Sequence, residues 1–98
     1  MEQAYWYIID HGLSTNKSYP FVNKEQKCKY TPSMKSISIK SCASVPSKSY
    51  EKLLSAVIQQ PVTVAVDSEK FMLYEKGVYT GDCGISVDRG MLLVGYGK

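Results

Sequence analysis

Near the start of the chain apolar residues return at helical spacing: Ala4, Tyr5, Ile8 and Ile9 mark one face of a segment running from Glu2 to His11. Gly12 is placed to end that helix, and His11 sits in its last turn, where a histidine caps carbonyls and complements the helix dipole. A polar Ser-Thr-Asn-Lys-Ser loop follows. Tyr19-Pro20-Phe21 is then extended, because proline disfavours helix in the residue before it. Between Ser36 and Ser41 polar and apolar residues alternate, which puts Ile37 and Ile39 on one side of a strand that runs into Cys42.

A second helix is expected from Ser47 to Gln60, since Tyr50, Leu53, Leu54, Val57 and Ile58 form one apolar stripe and Pro61 terminates it. Ser47 or Ser49 can cap its start, and Glu51 favours the dipole there. Val62 to Val66 follows at once as a strand apolar on both faces. Asp67 or Ser68 then caps a short helix through about Leu73, and Gly77 breaks it. Val78-Tyr79-Thr80 is extended, Gly81 to Gly84 is a turn, and Gly90 to Gly97 is a mostly apolar strand. Helices precede and interrupt strands without regular alternation, so the class is α+β, in one domain of 98 residues with no internal repeat.

Composition narrows the functions open to such a chain. An apolar fraction of 44% argues against disorder. The net charge of +3 is concentrated in the middle, where Lys17, Lys24, Lys27, Lys29, Lys35, Lys40, Lys48 and Lys52 face only Glu25 and Glu51. Such a run fits either a solvated surface or a polyanion-binding face; the lysines are scattered over loop, strand and helix and need not share one phosphate track, which argues against nucleic acid as the partner. No apolar run has the length of a membrane span, and no basic start with an apolar core marks a secretion signal. Leu93 to Gly97 has the letters of a potassium filter, but that device needs flanking membrane helices. Asn16-Lys17-Ser18 is a glycosylation sequon and points weakly to a secretory lineage. With Cys28, Cys42, Cys83 and the lone His11 there is no spacing for a metal site, and no cofactor motif is present. Cys42 reads as a small apolar residue at a strand end.

The order of these pieces resembles a papain-like cysteine protease of the cathepsin L branch. The matching residues are Tyr19-Pro20-Phe21, Cys28, Gln60-Pro61-Val62, Phe71, Tyr74, Gly77-Val78-Tyr79, Cys83, Val87-Asp88, Gly90 and Val94-Gly95-Tyr96-Gly97. Each alone is weak; in this order, over nearly the whole chain, they are specific, yet they correspond to less than half of a complete enzyme. The resemblance implies a partial papain-like fold, with residues 1–13 a helix like one from the left lobe and 14–98 an incomplete, barrel-like right lobe with one further long helix. It also implies that the nucleophilic cysteine and oxyanion glutamine would stand upstream of Met1, and the orienting asparagine downstream of Lys98.

On the same resemblance Cys28 and Cys83 are structural half-cystines whose partners fall outside the chain, which leaves a Cys28–Cys42 bridge as a separate option. Position 89 is where the family has its histidine, and here it is Arg89. Arginine has five donors, no acceptor and a pKa above about 12, so it cannot shuttle a proton; its plainer role is to pair with Asp88 or Asp82. Met1, Ala65, Val87 and Gly90 fall at positions of an apolar substrate subsite, with Asp88 beside them in the candidate binding set. The chain is therefore expected to be a non-catalytic fragment or truncated pseudoprotease. It would act, if at all, by docking onto a protease, a propeptide or an inhibitor, or as a basic polyanion-binding domain. Strand edges left open by an incomplete barrel predict a homodimer, a domain swap or a completing partner. The family resemblance implies a lysosomal, vacuolar or extracellular location.

Overall fold

The computed structural model of the chain describes residues 1–97, so Lys98, the last residue of the expected 14–98 lobe, lies outside the described residues. The chain gathers into two compact units, one from Met1 to Ser44 and one from Val45 onward. Both expected structural classes are present, two α-helices and a two-stranded antiparallel sheet, which is the α+β partial papain-like architecture.

The first unit is organised by α1, Glu2–His11, with the bounds its periodicity predicts. Its stripe is only half covered: Tyr5, Ile8 and Ile9 are half-buried, and no residue of the helix is fully buried. His11 plays the capping role expected of it, with Nδ1 3.3 Å from the Tyr7 carbonyl and its ring stacked on that of Tyr7, centroids 4.4 Å apart. The helix stops because Gly12 adopts φ 84°, ψ −176° while its amide still donates to the Ile8 carbonyl at 2.8 Å. That backbone region is reserved for glycine. Gly12 is also buried beneath Lys35, whose Cγ would lie 2.6 Å from an added Cβ. Tyr30 ties the following loop back by donating its hydroxyl to the His11 carbonyl at 2.6 Å.

The expected strand from Ser36 to Ser41 is not formed. Only one bridge survives, Leu13 to Ile37, closed by Leu13 N–H to Ile37 O at 2.8 Å and Ile37 N–H to Leu13 O at 3.1 Å. Alternation assigns faces to a strand but does not supply a partner. Here the partner segment offers a single residue before the polar loop begins, and Ile37 is left 57% exposed.

The second unit contains α2, Tyr50–Gln59, three residues shorter at its start than the stripe suggests. Lys48 adopts φ 58° and so cannot belong to a right-handed helix, which makes Ser49 rather than Ser47 the cap; its side chain accepts from the Lys52 amide at 3.4 Å. At the other end Gln60 is extended, as a residue before proline should be. Val57 of this helix, 7% exposed, is the one buried hydrophobic side chain among those described.

Strand β1, Val62–Val66, has the expected bounds and pairs antiparallel with β2, Arg89–Leu93, in the register Val62 to Leu93 through Val66 to Arg89. The expected last strand, Gly90 to Gly97, is thus shifted and cut short. Continuing the register would set Val94 against Pro61, which has no amide to donate. Between the strands a single 3₁₀ turn, Glu69–Phe71, replaces the expected short helix to Leu73. Phe71, Tyr74 and Tyr79 cluster after it: Tyr79 lies 5.2 Å from Phe71 and 6.4 Å from Tyr74 between ring centroids, and its hydroxyl reaches the carbonyls of Lys70 and Asp82 at 3.1 Å each. The Val78 to Thr80 stretch joins no ladder.

The glycine at the end of α1 gives a direct test. Gly12→Ala should destabilise the first unit by about 1–3 kcal/mol through backbone strain alone. Urea unfolding followed by the fluorescence of Trp6, the only tryptophan, should show that loss; an unchanged midpoint would show that the helix end is not held as described.

Candidate functional site

The antiparallel pairing brings the end of β1 next to the start of β2, and with it most of the residues singled out in the sequence. Ala65 stands opposite Gly90 and Val66 opposite Arg89. Because directly paired residues share a face of the sheet, Ala65 and Gly90 together leave one face with almost no side-chain bulk at that point. Val87, 62% exposed, and Asp88 lead into β2. Met1, the remaining member of the expected set, precedes α1 in the other unit and is 54% exposed.

Two aspartates lock this junction by reaching across it in opposite directions. Asp67, just after β1, accepts the Ser86 amide through Oδ2 at 3.0 Å and the Glu69 amide through Oδ1 at 3.2 Å. Asp88, just before β2, accepts both the amide and the hydroxyl of Ser68 through Oδ1, each at 2.9 Å, while its own amide donates to the Val66 carbonyl at 3.0 Å. Of the two caps expected for the turn after β1, it is therefore Asp67 that satisfies a turn amide, and the Ser68 hydroxyl is spent on Asp88. Gly84 approaches so closely that an added Cβ would collide with the Asp67 carboxylate.

The expected pairing of Arg89 with Asp88 or Asp82 is corrected by this geometry. Asp88 is hydrogen-bonded to Ser68, and Arg89 acts on it only through its field. The carboxyl of Asp88 is held below the ordinary carboxylate range chiefly by the Ser68 amide, then by the Ser68 hydroxyl, with Arg89 adding to the effect and partial desolvation opposing it. Arg89 itself is exposed on the first residue of β2. Sequence reading missed the Asp88–Ser68 pair because the two lie 20 positions apart; the available signal was the Asp-Ser dipeptide placed directly after a strand.

The cysteines do not assemble a reactive centre. Cys28, Cys42 and Cys83 are all free thiols, so the optional Cys28–Cys42 bridge is not formed. Cys83 is exposed, its sulfur 3.9 Å from the Gly81 carbonyl, and no imidazole belongs to its unit. Cys28 is exposed beside an open depression of about 470 Å³ lined also by Leu13, Tyr19, Phe21 and Tyr30. The charge of a Cys28 thiolate, after desolvation, contributes to the raised pKa of Tyr7. Asn16 of the sequon is exposed, and its Oδ1 accepts the Phe21 amide at 2.9 Å. Among the described residues no three His, Cys, Asp or Glu side chains come together as a metal cluster, and no helix is long and apolar enough to cross a membrane.

Comparison with known proteins places the chain in a family. The whole chain, residues 1–98, matches the papain family cysteine proteases, and the chain belongs to that family. The expected papain-like, cathepsin L-like assignment is thereby met. It is 42% identical to the senescence-specific cysteine protease SAG39 of rice over all of its own length and 30% of that protein's. It is 36% identical to the cysteine proteinase RD21A of Arabidopsis thaliana over 99% of itself and 22% of that protein, and 35% identical to zingipain-2 of Zingiber officinale over 99% of itself and 45% of that protein. The chain thus spans less than half the length of these relatives.

The clamp generates a pH prediction. Asp88 has a depressed folded-state pKa, so the stability it contributes is complete above its ordinary value of 3.8 and is lost as pH falls through the lower folded value. The Ser68 amide resonance should titrate with a midpoint below 3.8, and Asp88→Asn should abolish that titration. A midpoint at or above the ordinary value would remove the clamp.

Proposed function

We propose that this chain is a non-catalytic member of the papain family whose remaining capacity is to bind rather than to hydrolyse peptides. The reading is carried by Arg89, which stands at the position where the resemblance puts the catalytic histidine. Peptide hydrolysis by a thiol needs a group that takes the thiol proton and later returns one to the leaving amine, with a pKa near working pH. A guanidinium can favour a neighbouring thiolate by its charge, but it leaves the amine without an acid.

The other side chains support the same conclusion. His11, the one imidazole, is engaged by the Tyr7 carbonyl and ring. Arg89 has Asp88, Ser68 and Asp67 around its strand start, a hydrogen-bond clamp with no sulfur in it. What the junction does offer is the low-bulk surface at Ala65 and Gly90 with Val87 nearby, which suits a bulky apolar side chain of a bound peptide. Family members are typically lysosomal, vacuolar or secreted, and a compartment of that kind is where such binding would be exercised.

Fluorogenic peptides with a bulky apolar second residue should be left intact by the pure chain at any pH between about 4 and 8, the range in which a histidine base would titrate. Arg89→His should restore nothing, because Cys83, the thiol of that unit, lies against the Gly81 carbonyl and the resemblance makes it a structural half-cystine rather than the nucleophile. Hydrolysis that depends on thiol and is abolished by a cysteine-directed epoxide would overturn the proposal.

A further inference from the structure

Thr15 to Phe21 form a turn that is closed by its own hydrogen bonds. The Tyr19 amide donates to the Thr15 carbonyl at 3.0 Å, the Ser18 amide to Thr15 Oγ1 at 3.2 Å, and the Ser18 hydroxyl to the Thr15 carbonyl at 3.2 Å. Pro20 has no amide, so the next donor along the chain is the Phe21 N–H, and it goes to Asn16 Oδ1 at 2.9 Å. All of these bonds lie between Thr15 and Phe21. The way the turn presents Asn16 is therefore set locally, whatever chain lies outside residues 1–98. Ser14 to Ser18 is polar throughout with Lys17 inside it, the composition of a surface loop, and Asn16, Lys17 and Ser18 are all exposed.

The bond to Phe21 also settles the two ends of the carboxamide. A backbone N–H can be accepted only by Oδ1, so Nδ2 is the atom left over, and it meets no partner among the described residues. Two positions on, Ser18 supplies a hydroxyl, and the residue between is Lys17 rather than proline, which completes an acceptor triplet for glycosylation.

From this turn we infer that Asn16 carries an N-linked oligosaccharide, transferred from a lipid-diphosphate-linked donor in the secretory lumen. Nδ2 attacks the anomeric carbon of the first sugar. The carbon–nitrogen bond forms, the bond from that carbon to the diphosphate oxygen breaks with its electron pair leaving on the lipid diphosphate, and one Nδ2 proton is released. The reaction uses Nδ2 alone, so the Oδ1 bond to Phe21 is compatible with the product. Papain family members are typically lysosomal, vacuolar or secreted, destinations reached through that lumen. The inference is independent of whether the chain hydrolyses peptides.

The chain contains its own control. It has two asparagines, each followed by lysine, but Asn23-Lys24-Glu25 lacks the hydroxyl. Protein purified from its own source is treated with an amidase that removes N-linked glycans in heavy-oxygen water, then cut after lysine, which puts Asn16 and Asn23 on separate peptides. Mass spectrometry should find Asn16 converted to an aspartate bearing one heavy oxygen, with a loss of glycan mass from the whole protein, and Asn23 unchanged. In full-length protein expressed in the same cells, Ser18→Ala should lose the label although Asn16 and its acceptor atom remain, and Ser18→Thr, which keeps the hydroxyl, should retain it. An unmodified Asn16, equal labelling of Asn23 through spontaneous deamidation, or labelling that survives Ser18→Ala would each overturn the inference.

Discussion

The reciprocal grip of two aspartates, Asp67 on the Ser86 amide and Asp88 on Ser68, fixes how the chain leaves β1 and enters β2. A two-stranded ribbon is marginal by itself, so its register needs support from outside the ladder. The clamp provides that at the end where Val66 faces Arg89. Without it the loop carrying Cys83 and Gly84 would lose its attachment to the sheet, and the side chain at position 89 would lose its fixed origin.

That fixed origin is what makes the residue at 89 informative. Position 89 opens β2 beside the clamp, and the side chain placed there has permanent charge and no lone pair to accept a proton. The neighbouring carboxylate does not compensate, because its acceptor capacity is already directed at a serine amide and hydroxyl.

Local signals were read well from the sequence and long-range ones poorly. The bounds of α1 and β1 follow from periodicity, glycine and proline alone, and Gln60-Pro61 gives the end of α2. The start of α2 was misplaced because a left-handed Lys48 has no sequence signature, lysine being neither glycine nor asparagine. The strand at Ser36 to Ser41 failed for want of a partner, and the last strand shifted because its register is dictated by Pro61 on the opposite strand. At the site, the family motif pointed to Val87, Asp88, Arg89 and Gly90, but the hydrogen-bond partners of Asp88 could only be seen once the two strand ends met.

The scarcity of buried apolar surface, with Val57 the one buried large apolar side chain among the described residues, also shapes how the chain comes apart. Against an unfolded chain of about 16,000 Å², folding to 9000 Å² removes only about two-thirds of the area that a compact protein of this mass would remove. Heat capacity increments and denaturant slopes scale with that area, so the isolated chain should melt over a broad interval with a flat dependence of stability on temperature. What holds such a protein is local hydrogen bonding, as in the clamp at the strand ends, more than a shared core.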